Sequence, residues 1–131
     1  MRLLLDTHVA IWVLTQSSLI PERIRQEIDQ NPAEVFISSV SIFEIATKYK
    51  LGRKDSPPFN GTQATGFFEE MEFQFLSVTP EHAAMVDQLE PFHNDPFDRL
   101  LVAQAIAEPM YLVSNDAKIA LYDCPRIPWD R

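Results

Sequence analysis

Short apolar runs alternate with helical patterns along the whole sequence, and this alternation constrains the fold more than any other feature. Strands that alternate with helices build a mostly parallel sheet with helices on both faces. The sequence therefore predicts an α/β fold with a central sheet of four to five strands, and its 131 residues predict a single domain over 1–131. The strand-like runs are 2–6, 35–37, 75–78 and 111–113, with a last short strand around 126–127 as an open alternative.

Prolines, one glycine and polar cap residues mark where the intervening helices begin and end. Residues 53–61 lack a periodic pattern and are interpreted as a loop. Helices are predicted over 7–14, from Pro21 to Asn31, over 40–51 before Gly52, over 62–73, from Thr79, from Asp95 to Pro109, and near Asp116.

Four acidic residues, Asp6, Glu44, Asp98 and Asp116, lie in unusually apolar surroundings. Asp6 ends the first strand-like run, and Asp116 follows the fourth closely. Ligands gather at the carboxyl ends of parallel strands, where the starts of the helices that hold Glu44 and Asp98 also lie. Buried carboxylates are costly unless a cation compensates them. The pattern therefore predicts a site for Mg²⁺ or Mn²⁺, ions that prefer oxygen ligands and support phosphodiester hydrolysis.

Three of these acids also have plausible structural roles. Glu44 completes a capping box with Ser41, or pairs with Lys48 one helical turn further on. Asp98 lies in the first turn of a helix, where it complements the helix dipole. Asp116 is placed to cap the short helix that follows it. Asp6 has no evident local role, and the shared placement at strand ends favours the metal-site hypothesis.

Charge and composition limit the kinds of ligand and the cellular location that are expected for this chain. The net charge of −8 disfavours generic nucleic-acid binding but is compatible with a nuclease whose metal ions offset charge where the phosphate lies. No apolar stretch has transmembrane length, and the amino terminus has no signal-peptide pattern, so no membrane association is expected. The single cysteine, Cys124, cannot form an internal disulfide, which favours a cytoplasmic location and a packing role for this residue.

Four segments of the chain together resemble the signature segments of PIN-domain ribonucleases, most closely the VapC-type toxins of bacterial toxin–antitoxin systems. The resemblance implies a Rossmann-like α/β/α fold and an Mg²⁺- or Mn²⁺-dependent endoribonuclease that hydrolyses RNA with metal-activated water. It also implies a cognate antitoxin protein as partner and a homodimer. The segments are Leu3-Leu4-Leu5-Asp6-Thr7-His8, Phe43-Glu44, residues 95–105 with the sequence DPFDRLLVAQA, and Ser114-Asn115-Asp116.

The same resemblance assigns roles to the acids. It implies that Asp6 and Asp98 bind metal directly, that Glu44 completes the ligand set, and that Asp116 is its outer member. Thr7, Ser114 and Asn115 match positions that orient ligands or water. Asp95, which precedes Asp98 by one helical turn, is interpreted as a helix cap, with a supporting role beside the ligand set as the alternative. The histidines His8, His82 and His93 are not spaced as a chelating set, although His8 and His93 flank site segments.

Other functions remain as alternatives. A PIN nuclease that processes RNA without a toxin role has the same residues, and a catalytically inactive binding module is disfavoured by the intact quartet. A phosphoacceptor receiver domain needs an acidic pair near the first strand, and a haloacid-dehalogenase-type phosphatase needs Asp where His8 stands. Lys48, Arg53 and Lys54 are candidates for RNA phosphate contacts, against the alternative of a solvated face. Trp12 and the Phe67-Phe68 segment are candidates for partner contacts. The RNA target stays open.

Overall fold

The computed structural model describes residues 1–129, and strands alternate with helices as the sequence predicts. Short 3₁₀ turns cover Pro32–Glu34, Val86–Gln88 and Ile119–Leu121. The strands and α-helices are, in chain order, β1 (Leu3–Leu5), α1 (Thr7–Leu14), α2 (Glu22–Gln30), β2 (Val35–Ser38), α3 (Ser39–Leu51), α4 (Gly61–Glu70), β3 (Gln74–Leu76), α5 (Pro80–Met85), α6 (Pro96–Ala107) and β4 (Tyr111–Val113).

The four strands form one parallel sheet in the order β3-β2-β1-β4. The predicted α/β fold with a mostly parallel sheet flanked by helices is therefore confirmed. The last strand considered around 126–127 is reduced to an isolated bridge between Leu112 and Arg126. None of the helices within residues 1–129 has the length and apolar character needed to cross a membrane.

Each face of the sheet packs against its own apolar layer, because successive side chains of a strand point to opposite faces. Leu3 and Leu5 of β1 belong to one buried cluster, which includes residues of α1 and α2. Leu4 points the other way and packs with Leu101 and Val102 of α6. This alternation fixes the register of β1 and with it the position of Asp6, the first residue after the strand.

Several predicted boundaries were wrong. The helix predicted over 62–73 ends at Glu70, because the chain turns through a left-handed residue at Glu72 (φ 65°). This turn brings Phe73 back onto Phe68, with ring centroids 6.3 Å apart, and β3 begins one residue earlier than predicted and ends at Leu76. The helix after Thr79 is short, and the helix near Asp116 is only the 3₁₀ turn over Ile119–Leu121.

The sheet changes direction at β1, and this position organises the site. From β1 the chain proceeds to β2 and β3 on one side, then returns to place β4 on the other side. The backbone N–H of Asp6 donates to the carbonyl of Val113 at 3.0 Å, which ties the ends of β1 and β4 together. Ligands of open α/β sheets bind at such a switch point, outside the carboxyl ends of the strands.

Candidate metal centre

Asp6 has a local backbone role that its sequence context does not reveal. It is the N-cap of α1, and its Oδ1 accepts a hydrogen bond from the N–H of Val9 at 2.8 Å. The carboxylate is buried, with 3% of the residue exposed. Burial raises its pKa above the usual range, although hydrogen bonds from Ser114 and Val9 oppose the shift. The carboxylate therefore has a capping role at the carboxyl end of β1 in addition to any role as a ligand.

Glu44 is not part of the predicted capping box. Ser38, rather than Ser41, caps α3 by accepting from the N–H of Val40 at 3.1 Å. Glu44 lies in the second turn, is 3% exposed, and forms the alternative ion pair, with its Oε2 2.7 Å from Nζ of Lys48. Its other oxygen, Oε1, is buried and has no hydrogen-bond partner among residues 1–129. A buried carboxylate oxygen without a hydrogen-bond donor is unusual, even when the other oxygen is ion-paired.

Asp98 lies among other carboxylates at the start of α6. Asp95 caps this helix, as predicted, and accepts from the N–H of Phe97 at 2.9 Å and of Asp98 at 3.3 Å. Desolvation, followed by the negative charges of Asp95, Asp6 and Glu44, raises the pKa of Asp98 to about 7. The structure thus brings Asp6, Glu44 and Asp98 close enough for their charges to interact.

Asp116 lies at the edge of this group and is more exposed. Its Oδ1 accepts from the N–H of Lys118 at 2.8 Å, whereas the cap position of the 3₁₀ turn over Ile119–Leu121 is Lys118 and not Asp116 as predicted. Partial burial opposes ionisation of Asp116, but hydrogen bonds from the Lys118 N–H and from His93 outweigh it and lower the pKa. Asp116 therefore keeps its charge more readily than Asp6 and Asp98, whose pKa values are raised.

His93 enters the site directly, which its spacing in the sequence did not predict. Its Nε2 lies 2.9 Å from Oδ2 of Asp98 and 3.2 Å from Oδ2 of Asp116. Its Nδ1 accepts from the N–H of Asp95 at 3.1 Å, so in the neutral ring the proton is on Nε2, between the two acids. One donor atom from each of His93, Asp98 and Asp116 lies within 4.8 Å of the others. The only sequence signal was that His93 flanks the segment that begins at Asp95.

Arg99 stabilises the loop before α6, which contains His93. Its guanidinium donates to the carbonyls of Val86 at 2.9 Å and Glu90 at 3.0 Å, and to the hydroxyl of Tyr122 at 3.1 Å. Arg99 directly follows Asp98 in α6, so one helical turn carries both a candidate ligand and the group that positions its histidine.

Some of the remaining residues that were predicted to support the site lie beside the acids, and others do not. Thr7 is buried, and its hydroxyl donates to that of Ser41 at 2.9 Å. The Ser114 hydroxyl accepts from the N–H of Asp116 at 3.0 Å, next to Asp6, whereas Asn115 is exposed. His8 is also exposed and lies outside the acidic group, with its ring 6.2 Å from that of Trp12. The other candidates fall elsewhere: His82 is buried between α5 and α6, and Cys124 is a buried packing residue.

The donor set fits a hard divalent cation. Carboxylate oxygens are the preferred ligands of Mg²⁺ and Mn²⁺. Oε1 of Glu44 has no hydrogen-bond partner among residues 1–129, and desolvation, followed by the charges of neighbouring carboxylates, raises the pKa of Asp98. His93, Asp98 and Asp116 already bring one ligand atom each within 4.8 Å of the others, whereas Asp6 and Glu44 lie outside that group and interact with Asp98 through their charge.

The structure is therefore an α/β protein whose parallel sheet carries a cluster of carboxylates at its switch point. The sequence profile of the PIN domain matches residues 3–123, nearly the full length. The chain belongs to the PIN domain family. Most of the fold and all four acids lie inside the matched region.

Comparison with individual proteins agrees with this assignment. Ribonuclease VapC22 of Mycobacterium tuberculosis is 27% identical over 126 residues, which cover 94% of this chain and 93% of the relative. The structure of VapBC2 from Rickettsia felis bound to a promoter DNA fragment superposes with a TM-score of 0.71 at 17% identity, covering 99% of this chain and 100% of the other. DNA-bound VapBC from Salmonella typhimurium gives a TM-score of 0.71 at 20% identity, covering 98% and 97%. These two structures support the fold.

Proposed function

We propose that residues 1–131 form one PIN domain that acts as an Mg²⁺- or Mn²⁺-dependent endoribonuclease, and that the protein is the toxin of a toxin–antitoxin pair. The observation that carries the proposal is the buried Oε1 of Glu44, which has no partner within residues 1–129 although it lies among other carboxylates. The name of the Mycobacterium tuberculosis relative, a ribonuclease, supports the reaction class.

Asp6, Glu44 and Asp98 would hold the cation, with Asp116 as the outer member of the set. A bound divalent cation neutralises charge on the phosphate and lowers the pKa of a water molecule. Hydrolysis adds the water oxygen to phosphorus and breaks one phosphorus–oxygen bond to ribose, whose oxygen takes up a proton. The N–H of Val9 keeps the Asp6 carboxylate in place, and Nε2–H of His93 holds Asp98 and Asp116 together.

An antitoxin protein and a second copy of this chain are the proposed partners. VapBC complexes are among the similar structures, which supports a protein partner. A partner that inserts an Arg or Lys side chain among the carboxylates would compensate their charge and prevent cation binding. Among the proposed contact residues, Phe67 is 40% exposed and can contribute, but Phe68 is fully buried and that part of the prediction was wrong.

The direct test is cleavage of RNA by the purified chain with Mg²⁺ or Mn²⁺ and with EDTA. We expect metal-dependent cleavage that Asp98→Asn abolishes. Asp29→Asn is the matched control, because Asp29 is an exposed acid on α2 and the substitution removes the same charge. Full activity of the Asp98→Asn protein, or cleavage that persists in EDTA, would contradict the assignment.

A separate test addresses the biological role. The chain is co-expressed with the product of the adjacent upstream gene, and co-purification and growth are measured. We expect the neighbour to bind and to restore growth. If RNA is cleaved in vitro but the neighbour neither binds nor restores growth, a PIN nuclease that processes RNA is the better account. If no RNA is cleaved at all, the domain is a binding module.

A further inference from the structure

A cavity of about 150 Å³ opens next to the acidic pocket, between α1 and the loop after α3. Its apolar walls include Ile11 and Leu51, and its polar groups include His8, Lys48, Arg53 and Asp55. Lys48 is shared by the two sites, because its ammonium group lies 2.7 Å from Oε2 of Glu44. A ligand in this cavity would therefore lie directly beside a phosphate bound at the carboxylates.

The loop that forms the outer wall is fixed in place. Gly52 ends α3 in the left-handed conformation (φ 61°) and turns the chain sharply. The hydroxyl of Ser56 then donates to the carbonyl of Lys48 at 2.7 Å and accepts from the N–H of Arg53 at 2.9 Å. These bonds hold the backbone of Arg53 and Asp55 against the end of the helix, so the cavity is part of the folded structure.

This wall is also the most basic stretch of an acidic protein. The net charge is −8, yet four of the eleven Lys and Arg residues fall within 48–54, a segment with no acid: Lys48, Lys50, Arg53 and Lys54. Nucleic-acid affinity depends mainly on cations that contact phosphates. The cations of this wall can contact the phosphates of an RNA backbone that runs from the carboxylates into the cavity.

The other groups suit a nucleobase. Bases of single-stranded RNA are recognised by stacking on His rings or Arg guanidinium groups and by hydrogen bonds along their edges. His8 and Arg53 offer the first kind of contact, and the carboxylate of Asp55 offers an acceptor for a base N–H. Ile11 and Leu51 supply apolar surface for the face of a ring.

We propose that this cavity is a nucleotide subsite, which binds the nucleotide next to the scissile phosphate of a single-stranded RNA. Lys48 and Arg53 contact its phosphate, and Asp55 selects bases whose edges donate hydrogen bonds. The subsite rests on the proposed ribonuclease function, since the acidic pocket supplies the neighbouring phosphate position.

The test measures binding of a fluorescent single-stranded RNA of about 12 nucleotides in EDTA, over a range of salt concentrations. Arg53→Ala and Lys54→Ala form a matched pair, because both residues are exposed, adjacent and equally charged, but only Arg53 lines the cavity. We expect Arg53→Ala to weaken binding about tenfold. It should also reduce the salt dependence by about 0.7 in log K per log salt. Lys54→Ala should change both much less.

Two further measurements distinguish a nucleotide subsite from a surface that attracts RNA only by its charge. Asp55→Asn should alter the preference among RNAs that differ in the flanking base and leave the salt dependence unchanged. Cleavage with Mn²⁺ should show a raised KM and an unchanged kcat for Arg53→Ala. Thermal melts of each variant establish that it is folded.

Equal weakening by Arg53→Ala and Lys54→Ala would overturn the subsite, because it would report only general attraction. Unchanged RNA binding by Arg53→Ala, with lost binding of the upstream-encoded protein, would overturn it in favour of a protein-binding surface. If the Arg53 and Lys54 variants differ in RNA binding but the wild-type chain cleaves no RNA, the subsite is supported and the proposed ribonuclease function fails.

Discussion

Two buried polar clusters in this chain differ in how their groups are compensated. In the first, His82 lies between α5 and α6 and is 1% exposed. Its Nδ1 accepts from the N–H of Thr79 at 3.1 Å, and its Nε2 lies 2.7 Å from Oε2 of Glu108. The amide of Gln104 donates to the carbonyl of Ser77 at 3.4 Å and lies 3.3 Å from the histidine ring. The cluster joins the two helices and the loop before α5.

The acidic pocket lacks this balance. Lys48 pairs with one oxygen of Glu44, and His93 lies between Asp98 and Asp116, but the charges of Asp95, Asp6 and Glu44 still add to desolvation in raising the pKa of Asp98 to about 7. Each cluster contains one buried oxygen without a partner among residues 1–129. In the first it is the neutral amide oxygen of Gln104, and in the second a carboxylate oxygen of Glu44.

The difference indicates what each cluster is for. A neutral amide oxygen without a hydrogen bond costs less than a buried carboxylate oxygen without one, even where the other carboxylate oxygen is ion-paired as in Glu44. The His82 cluster stabilises the fold as it stands, whereas the proposed function assigns a cation to the acidic cluster. Substitutions in the two clusters should therefore separate stability from activity.

Replacing Glu44 by Gln gives the largest expected effect. RNA cleavage should fall on the order of 10³-fold, because the substitution removes a ligand from a site that supplies several kcal/mol of charge stabilisation. The protein should remain folded, since the buried charge is removed as well. Cleavage kinetics and thermal melts provide the measurements, with Glu69→Gln, an exposed acid on α4, as the control. If the Glu44→Gln protein still cleaves RNA, the acidic cluster does not differ from the His82 cluster in its role in activity.

Replacing His82 by Ala should produce the reverse result. The free energy of unfolding should fall by roughly 3 kcal/mol, because a buried side chain is lost and the groups that contact it lose a partner. Cleavage per folded molecule should be unchanged. Denaturant unfolding measures the loss, and the exposed His8 provides the control, for which His8→Ala should change stability by less than about 0.5 kcal/mol. Equal stability of the two variants would contradict the structural role of His82.

Stability of the metal-free chain should depend on pH through Asp98. Its folded-state pKa of about 7 exceeds the ordinary value of 3.8, so the folded state binds the proton more tightly. The associated stability is present at low pH and is lost as pH rises through about 7. In EDTA, the melting temperature should therefore fall from about pH 5 to about pH 8, and Asp98→Asn should reduce the fall. If Asp98→Asn leaves the dependence of the melting temperature on pH unchanged, a group other than Asp98 causes that dependence.

Substitutions of Asp95 should have the smallest effect, and they distinguish a capping role of its side chain from a role as a metal ligand. Its side chain caps α6, so Asp95→Ala should cost about 1 kcal/mol. Asn caps nearly as well, and Asp95→Asn should restore most of that stability. Thermal melts compare the three proteins. If Asp95→Asn loses RNA cleavage as completely as Glu44→Gln does, Asp95 belongs to the ligand set and not only to the cap.

The parts of the fold set by local pattern were predictable. The run Leu3–Leu5, the proline after Asp95 and the glycine after α3 placed β1, α6 and the end of α3 with small errors. The four acids were found because a carboxylate in an apolar segment is unusual whatever the fold.

The parts set by distant contacts were not predictable. His93 reaches the acids only because the loop before α6 wraps around the guanidinium of Arg99. The role of Asp6 as a cap was missed because Asp6 was assigned to the strand-like run 2–6, although it directly precedes the helix that was predicted to begin at Thr7. The cap of α3 fell on Ser38 instead of Ser41 because β2 leads straight into the helix.

Calorimetric titration of the metal-free chain with Mn²⁺ tests most directly whether the cluster of Asp6, Glu44, Asp98 and Asp116 is a cation site. We predict saturable binding to the wild-type chain and to the His82→Ala and Asp29→Asn proteins, and a loss of that binding in the Asp98→Asn protein. Saturation at about 100 times Kd should also stabilise the wild-type chain by about 2.7 kcal/mol. Absence of saturable binding to the wild-type chain, or equal binding to the Asp98→Asn protein, would contradict the claim.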